Sequence, residues 1–388
     1  MKKPCNGSRR LNFILLVLIN ITALTVLIPE FAKAVSASPA PFSEFLENLD
    51  SDTTALYQLI YSDGRGTITK NISKSSAGEY FIRARDYEEI FKHGINVDSQ
   101  YVNLFDFLKD EPENDYLYDV FADGSVVVGK ISDSQKNSAI QAVLVNDRLV
   151  VRYNFVAVKE AETEYYEHEI KYMEDDSGNY SLLHSDIPTG MTITEKLVRD
   201  IERLDGKVSG VDGKTIYYSF LCKLHKEVDN SPRNIKKILT NHDNQSPNYI
   251  ILVSGMSCKK IKDIYPEMGN DSMLRSNVSG CAWWHAWEGD ENGSGYIVAM
   301  DGGGRNIAPH EAMHLMGIDD IERDGYLVNT DLYDCNDLMA YGCHSRVALS
   351  NVEMYLILKS IENDFEFYPW SDVEEEVARL VERNGLQY

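Results

Sequence analysis

The stretch HEAMHLMGIDD, residues 310–320, sets two histidines four positions apart, with a glutamate beside the first and a glycine and two aspartates beyond the second. On a helix, residues four apart lie one turn above another on the same face, so His310 and His314 can reach a single ion. Zinc accepts such a pair of imidazole nitrogens. Glu311 sits slightly to one side of that face, close enough to hold a water beside a metal without ligating the metal itself. Gly317 stands where a helix that must turn sharply needs a left-handed residue. The chain can then fold back and offer Asp320 as a third ligand, with Asp319 as a competing neighbour, which gives the pattern H-E-x-x-H-x-x-G-x-x-D.

The flanks add context. GYIVAMDGGGRN, residues 295–306, reads as a strand followed by a flexible turn, with Asn306 able to cap the helix that carries the histidines. Downstream comes CNDLMAYGC, residues 335–343. At this point the sequence resembles the metzincin zinc peptidases, which pair the extended histidine motif with a methionine-containing turn beneath the metal. His310, Glu311, His314, Gly317 and Asp320 match the first element, in the minority form with aspartate as third ligand, and Met339 matches the second. The resemblance covers about residues 280–360. It implies a Zn2+ cofactor, a protein or peptide substrate, and an α+β fold: a mixed twisted sheet with an active-site helix and C-terminal helices. Tyr341, two residues past Met339, matches a tyrosine that some metzincins place near the metal, where it hydrogen-bonds the tetrahedral intermediate or acts as a weak axial ligand. GCAWWHAW, residues 280–287, is similar to the edge strand with which these enzymes bind substrate. Trp283, Trp284 and Trp287 fit either a substrate cleft or a buried core.

The expected chemistry is metal-assisted hydrolysis. Two imidazoles and one carboxylate leave a zinc position open for water, and Glu311 is the general base that takes the water's proton and passes it to the leaving amine. His285 and His344 are not expected as ligands; His344 would compete as third ligand only if Asp320 failed. Glu353 would be the third ligand in a peptidase class that takes a glutamate from a later helix, but Gly317 argues against that class. His168, alone among glutamates in YYEHEI, reads as a surface residue on an alternating stretch.

Further from the motif, helix and strand signals alternate. TITEKLVRDIERLDG, from Thr192, has the capping box Thr192-x-x-Glu195, apolar positions at Leu197, Val198, Ile201 and Leu204, and a closing glycine. KTIYYSFLCKL and NYIILVSGM read as strands, and NSPRNIKKILTNH as a helix opening near Pro232. Two C-terminal helices follow, with boxes at Ser350-x-x-Glu353 and Ser371-x-x-Glu374. Upstream, DYEEIFKHG has helical spacing with a glycine stop, and GSVVVGKI is a strand. QAVLVNDRLVVRYNFVAV is a pair of strands turning at Asn146-Asp147, and the stretch from Tyr165 to Gly190 holds a further strand and an acidic turn. SDIPTGMT, residues 185–192, is the expected domain boundary. The reading is therefore a smaller α+β N-terminal domain over 35–190, either a propeptide or a permanent accessory domain, and a zinc metallopeptidase domain over 191–388. No cysteine lies in 35–190, so a thiol from that region cannot cap the metal.

The chain's 388 residues suggest two domains. Its 43% hydrophobic content supplies a sizeable core, and its net charge of -23 argues against nucleic-acid binding. Lys2, Lys3, Arg9 and Arg10 precede the apolar run of residues 11–28, and Ala32-Lys33-Ala34 follows, which reads as a secretory signal over 1–34 with cleavage after Ala34. The same run is long enough for an uncleaved N-terminal anchor. The protein is then secreted or held at the cell surface, and disulfides are permitted. Cys335–Cys343 is the first candidate bridge and Cys258–Cys281 the second, with Cys222 left over. The rival reading is a non-catalytic, zinc-containing binding protein or adhesin at the cell surface.

Overall fold

The computed structural model describes residues 56–92, 100–110, 115–159, 164–174, 180–210, 212–229, 231–234, 249–254, 280–284, 295–299, 307–318, 322–323, 326–327, 338–339, 349–363, 365 and 370–384. The architecture is mixed α+β. Its first unit is a six-stranded sheet built from β1 (Leu56–Ser62), β2 (Thr67–Lys74), β3 (Tyr80–Arg83), β4 (Tyr101–Asn103), β5 (Tyr116–Val120) and β6 (Val126–Lys130), in the order β4-β3-β2-β1-β6-β5. All pairs are antiparallel except β1 with β6. Helices α1 (Ala84–Phe91) and α2 (Leu104–Asp110) accompany it.

Side-chain alternation explains how this sheet is covered. Leu59, Tyr61, Val126 and Val128 point to one face and pack with Tyr87, Ile90 and Phe91 of α1 and with Leu104 and Leu108 of α2. Ile60 and Val127, one residue out of phase, point to the other face. There they meet Val143, Val145 and Val150 of a second sheet. Gly129 lets the two sheets approach: a Cβ at that position would stand 2.6 Å from the Cβ of Val143. Helix α1 ends on Lys92, which takes the left-handed conformation at φ 56° and donates its N–H to Glu88 O. The stop expected from Gly94 is thus supplied by a lysine two residues earlier.

The second sheet uses β7 (Ile140–Val145), β8 (Arg148–Lys159), β11 (Gly206–Ser209), β12 (Thr215–Asp229), β13 (Ile250–Ser254), β14 (Gly280–Trp284) and β15 (Gly295–Ala299), in the order β11-β12-β8-β13-β15-β14, with β7 also on β8. The β7–β8 turn holds Asn146 at φ 58°, as the sequence implied. β8 pairs in parallel with β12 along one side. On its other side, residues 148–153 pair with β7 and residues 155–159 with β13. β14 runs antiparallel to β15 at the end of the order. β9 (Glu164–Glu174) and β10 (Tyr180–Thr192) form a separate antiparallel hairpin, and β16 (Glu322–Arg323) pairs with β17 (Tyr326–Leu327).

The second sheet takes strands from both sides of residue 190. β8 lies before residue 190, yet it fills the place between β12 and β13 in the sheet that leads to the histidine helix. SDIPTGMT is itself part of β10, which runs directly into helix α3 (Ile193–Glu202). The alternating pattern of β8 does not disclose which sheet it joins, because parallel pairing links segments far apart in sequence.

Helix α3 starts with the predicted capping box: Thr192 accepts from Glu195 N, and Thr192 N donates to Glu195 Oε2 at 2.7 Å. Its C-cap is Arg203 in ordinary helical geometry, while the expected closing glycine, Gly206, opens β11. Leu197, Ile201 and Leu204 pack on the face of β8 formed by Leu149, Val151, Tyr153 and Phe155. Against the same core lie α4 (Ile307–His314), α5 (Asn351–Glu362) and α6 (Trp370–Asn384). The Ser350–Glu353 box caps α5 as expected, whereas α6 begins at Trp370, so Ser371 lies inside it rather than at its cap. No helix among the described residues is long and apolar enough to cross a membrane. The apolar run of residues 11–28 lies outside them.

Candidate metal centre

Helix α4 is short and almost wholly buried. Ala308, Ala312, Met313, Leu315 and Met316 are core residues, and His310 and Glu311 each expose only 7% of their surface. Such burial takes His310 and Glu311 out of solvent, while His314 is half-buried. It also requires that each polar group find a partner.

The helix ends as the glycine implied. Gly317 has φ 82°. Its N–H donates to His314 O at 2.9 Å, and the N–H of Ile318 reaches Met313 O at 3.4 Å, which is the Schellman arrangement that satisfies orphan carbonyls at a helix end. Two further terminal carbonyls are met from outside the helix. Tyr153 on β8 donates its hydroxyl to Ala312 O at 3.1 Å, and Ser360 on α5 donates to Met316 O. Burial holds the Tyr153 phenol protonated far above its usual range, so it remains a donor.

The glycine turn also sets His314. It brings Ile318 O to 2.8 Å from His314 Nδ1, while Leu338 O lies 2.8 Å from His310 Nδ1. A backbone carbonyl can only accept, so both Nδ1 atoms carry the hydrogen, and in its neutral form each ring presents a lone pair at Nε2. The two Nε2 atoms are 3.2 Å apart, with ring planes at 84°. Two lone pairs at that distance repel unless positive charge lies between them. The edge of a tetrahedron with zinc–nitrogen bonds of about 2.0–2.1 Å is about 3.3–3.4 Å. The spacing, the tautomers and the carbonyl-anchored Nδ1 atoms therefore fit two ligands of one zinc ion, with the oriented outer partners that metal-bound histidines require.

Met339, fully buried, follows the peptide that anchors His310. This places the methionine-containing segment against the histidine helix. Glu353, the alternative third ligand, is engaged elsewhere: Oε1 accepts from Met339 N at 2.7 Å and Oε2 from Ser350 N at 2.7 Å, with no surface exposed. Burial pushes its carboxyl pKa up, while hydrogen bonds from Ser350 and Met339 oppose that rise.

Asp320, Asp319, Tyr341, His285 and His344 lie outside the described residues, as do Cys258, Cys335 and Cys343. Among the described residues no group of three His, Cys, Asp or Glu side chains converges on a metal position. Cys222 is a free thiol. Cys281, Trp283 and Trp284 belong to β14, the terminal strand of the sheet order. Sequence reasoning missed Tyr153. The available signal was a tyrosine in a strand otherwise apolar enough to be buried, which needs a partner for its hydroxyl. No protein-family model matches the chain, and no curated protein matches it.

Proposed function

We propose that the protein is an exported zinc-dependent endopeptidase of metzincin type, with His310, His314 and Asp320 holding the metal and Glu311 acting as general base. One observation carries this reading: two carbonyl-anchored imidazoles turn their Nε2 atoms to within 3.2 Å of each other beside a buried glutamate. Zinc, when bound, supplies a Lewis acid that polarises the scissile carbonyl and makes a water nucleophilic near neutral pH. Glu311 accepts a proton as the water oxygen attacks the carbonyl carbon. It then delivers that proton to the amide nitrogen as the C–N bond breaks, so the leaving group departs as a neutral amine. Tyr341 hydrogen-bonds the developing oxyanion. β14, last in the sheet order and antiparallel to its neighbour, supports a mode in which an extended peptide adds as a further strand.

The deciding experiment compares the wild-type chain with Glu311→Gln on an unstructured protein substrate, with zinc content measured in both. The variant should keep about one zinc per chain and lose on the order of 10²-fold or more in peptide hydrolysis. Equal activity removes Glu311 from the mechanism. A wild-type chain that binds zinc at the histidines but cleaves no substrate of varied sequence favours the non-catalytic binding protein.

A further inference from the structure

We infer that Glu353 is a positioning residue for the metal centre, acting on His310 through the single peptide group between Leu338 and Met339. The inference rests on the zinc reading above and adds a residue to it. The carbonyl of that peptide accepts from His310 Nδ1 at 2.8 Å, and its N–H donates to Glu353 Oε1 at 2.7 Å. One planar, conjugated unit therefore links the histidine ring to the carboxylate. A peptide that donates to a carboxylate gains electron density at its oxygen, so it is a stronger acceptor for the next donor in the chain. A stronger acceptor at Nδ1–H makes Nε2 a better donor to a metal and fixes the ring plane.

Glu353 is itself held without slack. Its second oxygen accepts from Ser350 N, and its own N–H donates to Ser350 Oγ at 3.2 Å, which fixes it at the start of α5. The residue before the cap, Leu349, donates its N–H to Tyr218 OH at 3.2 Å, so the start of α5 is tied to β12. The path runs from the sheet, through the capped helix and the Met339 peptide, to the imidazole. A capping glutamate normally serves only its own helix. Here one oxygen completes the cap and the other is turned to the peptide beneath His310.

The test measures zinc affinity of the full chain by competition with a chelating indicator. Glu353→Gln keeps size and can still accept from Met339 N, but it removes the charge. It should bind the same amount of zinc at saturation with about 10- to 100-fold weaker affinity, as outer partners of metal ligands typically show. Thr192→Ala, which removes the same kind of cap from α3, should lower thermal stability comparably and leave zinc affinity at the wild-type level. Wild-type affinity in Glu353→Gln, or an equal loss in Thr192→Ala, would overturn the inference. Zinc binding that survives His310→Ala with His314→Ala would overturn both this inference and the metal site. The link is also readable without substitution: saturating zinc should shift the Met339 amide proton of the wild-type chain in NMR spectra, and an unmoved resonance would overturn the inference even if Glu353→Gln failed to fold.

Discussion

The hydroxyl of Tyr153 on β8 donates to the carbonyl oxygen of Ala312, which lies between the two histidines of α4. That carbonyl falls in the last turn of the helix, where no intrahelical N–H remains for it. A residue from the first half of the chain therefore completes the helix that carries the candidate ligands. Tyr153→Phe should preserve the stacking with Phe155 and Phe220 and leave Ala312 O buried without that donor. The cost should be about 1–2 kcal/mol of stability, with a smaller loss of zinc affinity. Thermal unfolding with and without zinc checks it, and an unchanged Tm would show that another group satisfies the carbonyl.

Removal of residues 35–190 should not leave a folded domain. That cut takes β8 from between β12 and β13 and removes Tyr153, Phe155, Val151 and Leu149 from the core shared with α3 and α4. Each such side chain contributes about 1.5–3 kcal/mol when fully buried, so the loss of the four is comparable to the whole stability of an ordinary domain, about 5–15 kcal/mol. A chain starting near residue 133 keeps β7 and β8 and should fold. It should be less stable, because Val143, Val145 and Val150 lose the cover of Ile60, Leu117, Phe121 and Val127. Circular dichroism and zinc content of the two truncations decide the matter. A folded, zinc-loaded 191–388 fragment would refute this account of the sheet.

Features that rest on contacts a few residues apart were legible in the sequence. The Gly317 turn, the Asn146 hairpin and the boxes at Thr192 and Ser350 follow from local backbone geometry and short-range hydrogen bonds. Even there, competition between neighbours moved an end: Lys92 adopts the left-handed cap that Gly94 seemed made for, and Trp370 starts α6 before Ser371 can cap it. What stayed hidden is non-local. Nothing in RLVVRYNFVAV says that its even-numbered Val150 faces the first sheet while Tyr153 faces a helix more than 150 residues later. The dual use of Glu353 is hidden for the same reason, since its capping partner is three residues away and its second partner is on another segment.

The proposed third ligand can be tested against its neighbour. Gly317 is left-handed and draws Ile318 O back to His314 Nδ1, and the proposed metal site takes Asp320, three residues past Gly317, as its third ligand. Asp320→Ala should weaken zinc binding by at least 10-fold more than Asp319→Ala, on the order of one lost coordination bond in a three-residue site. Competitive metal titration of the two variants checks it. The reverse order would shift the register by one residue.

Asp205 predicts a pH dependence away from the metal. It follows α3 and accepts from Phe220 N at 2.8 Å. Asp119 of β5 accepts from Ser219, and Glu202 of α3 accepts from Cys222 N, so three carboxylates gather along β12. Burial first, and then repulsion from Asp119 and Glu202, push the Asp205 carboxyl up to about 6, against the hydrogen bonds from Phe220 and Ser219. In the unfolded chain the group titrates near its ordinary value of about 3.9. Between about pH 4 and pH 6 the folded state therefore holds a proton that the unfolded state has released, and its contribution to stability, complete below pH 4, is lost as pH rises through 6. Asp205→Asn keeps an acceptor for Phe220 N and removes the charge. It should raise Tm relative to wild type at pH 7, modestly because the group is partly solvated, and the two curves should converge near pH 4. Thermal unfolding across pH 4–8 in a metal-free buffer measures the difference, and an asparagine variant less stable than wild type at pH 7 would mean that the Asp205 charge is used by a partner rather than merely tolerated.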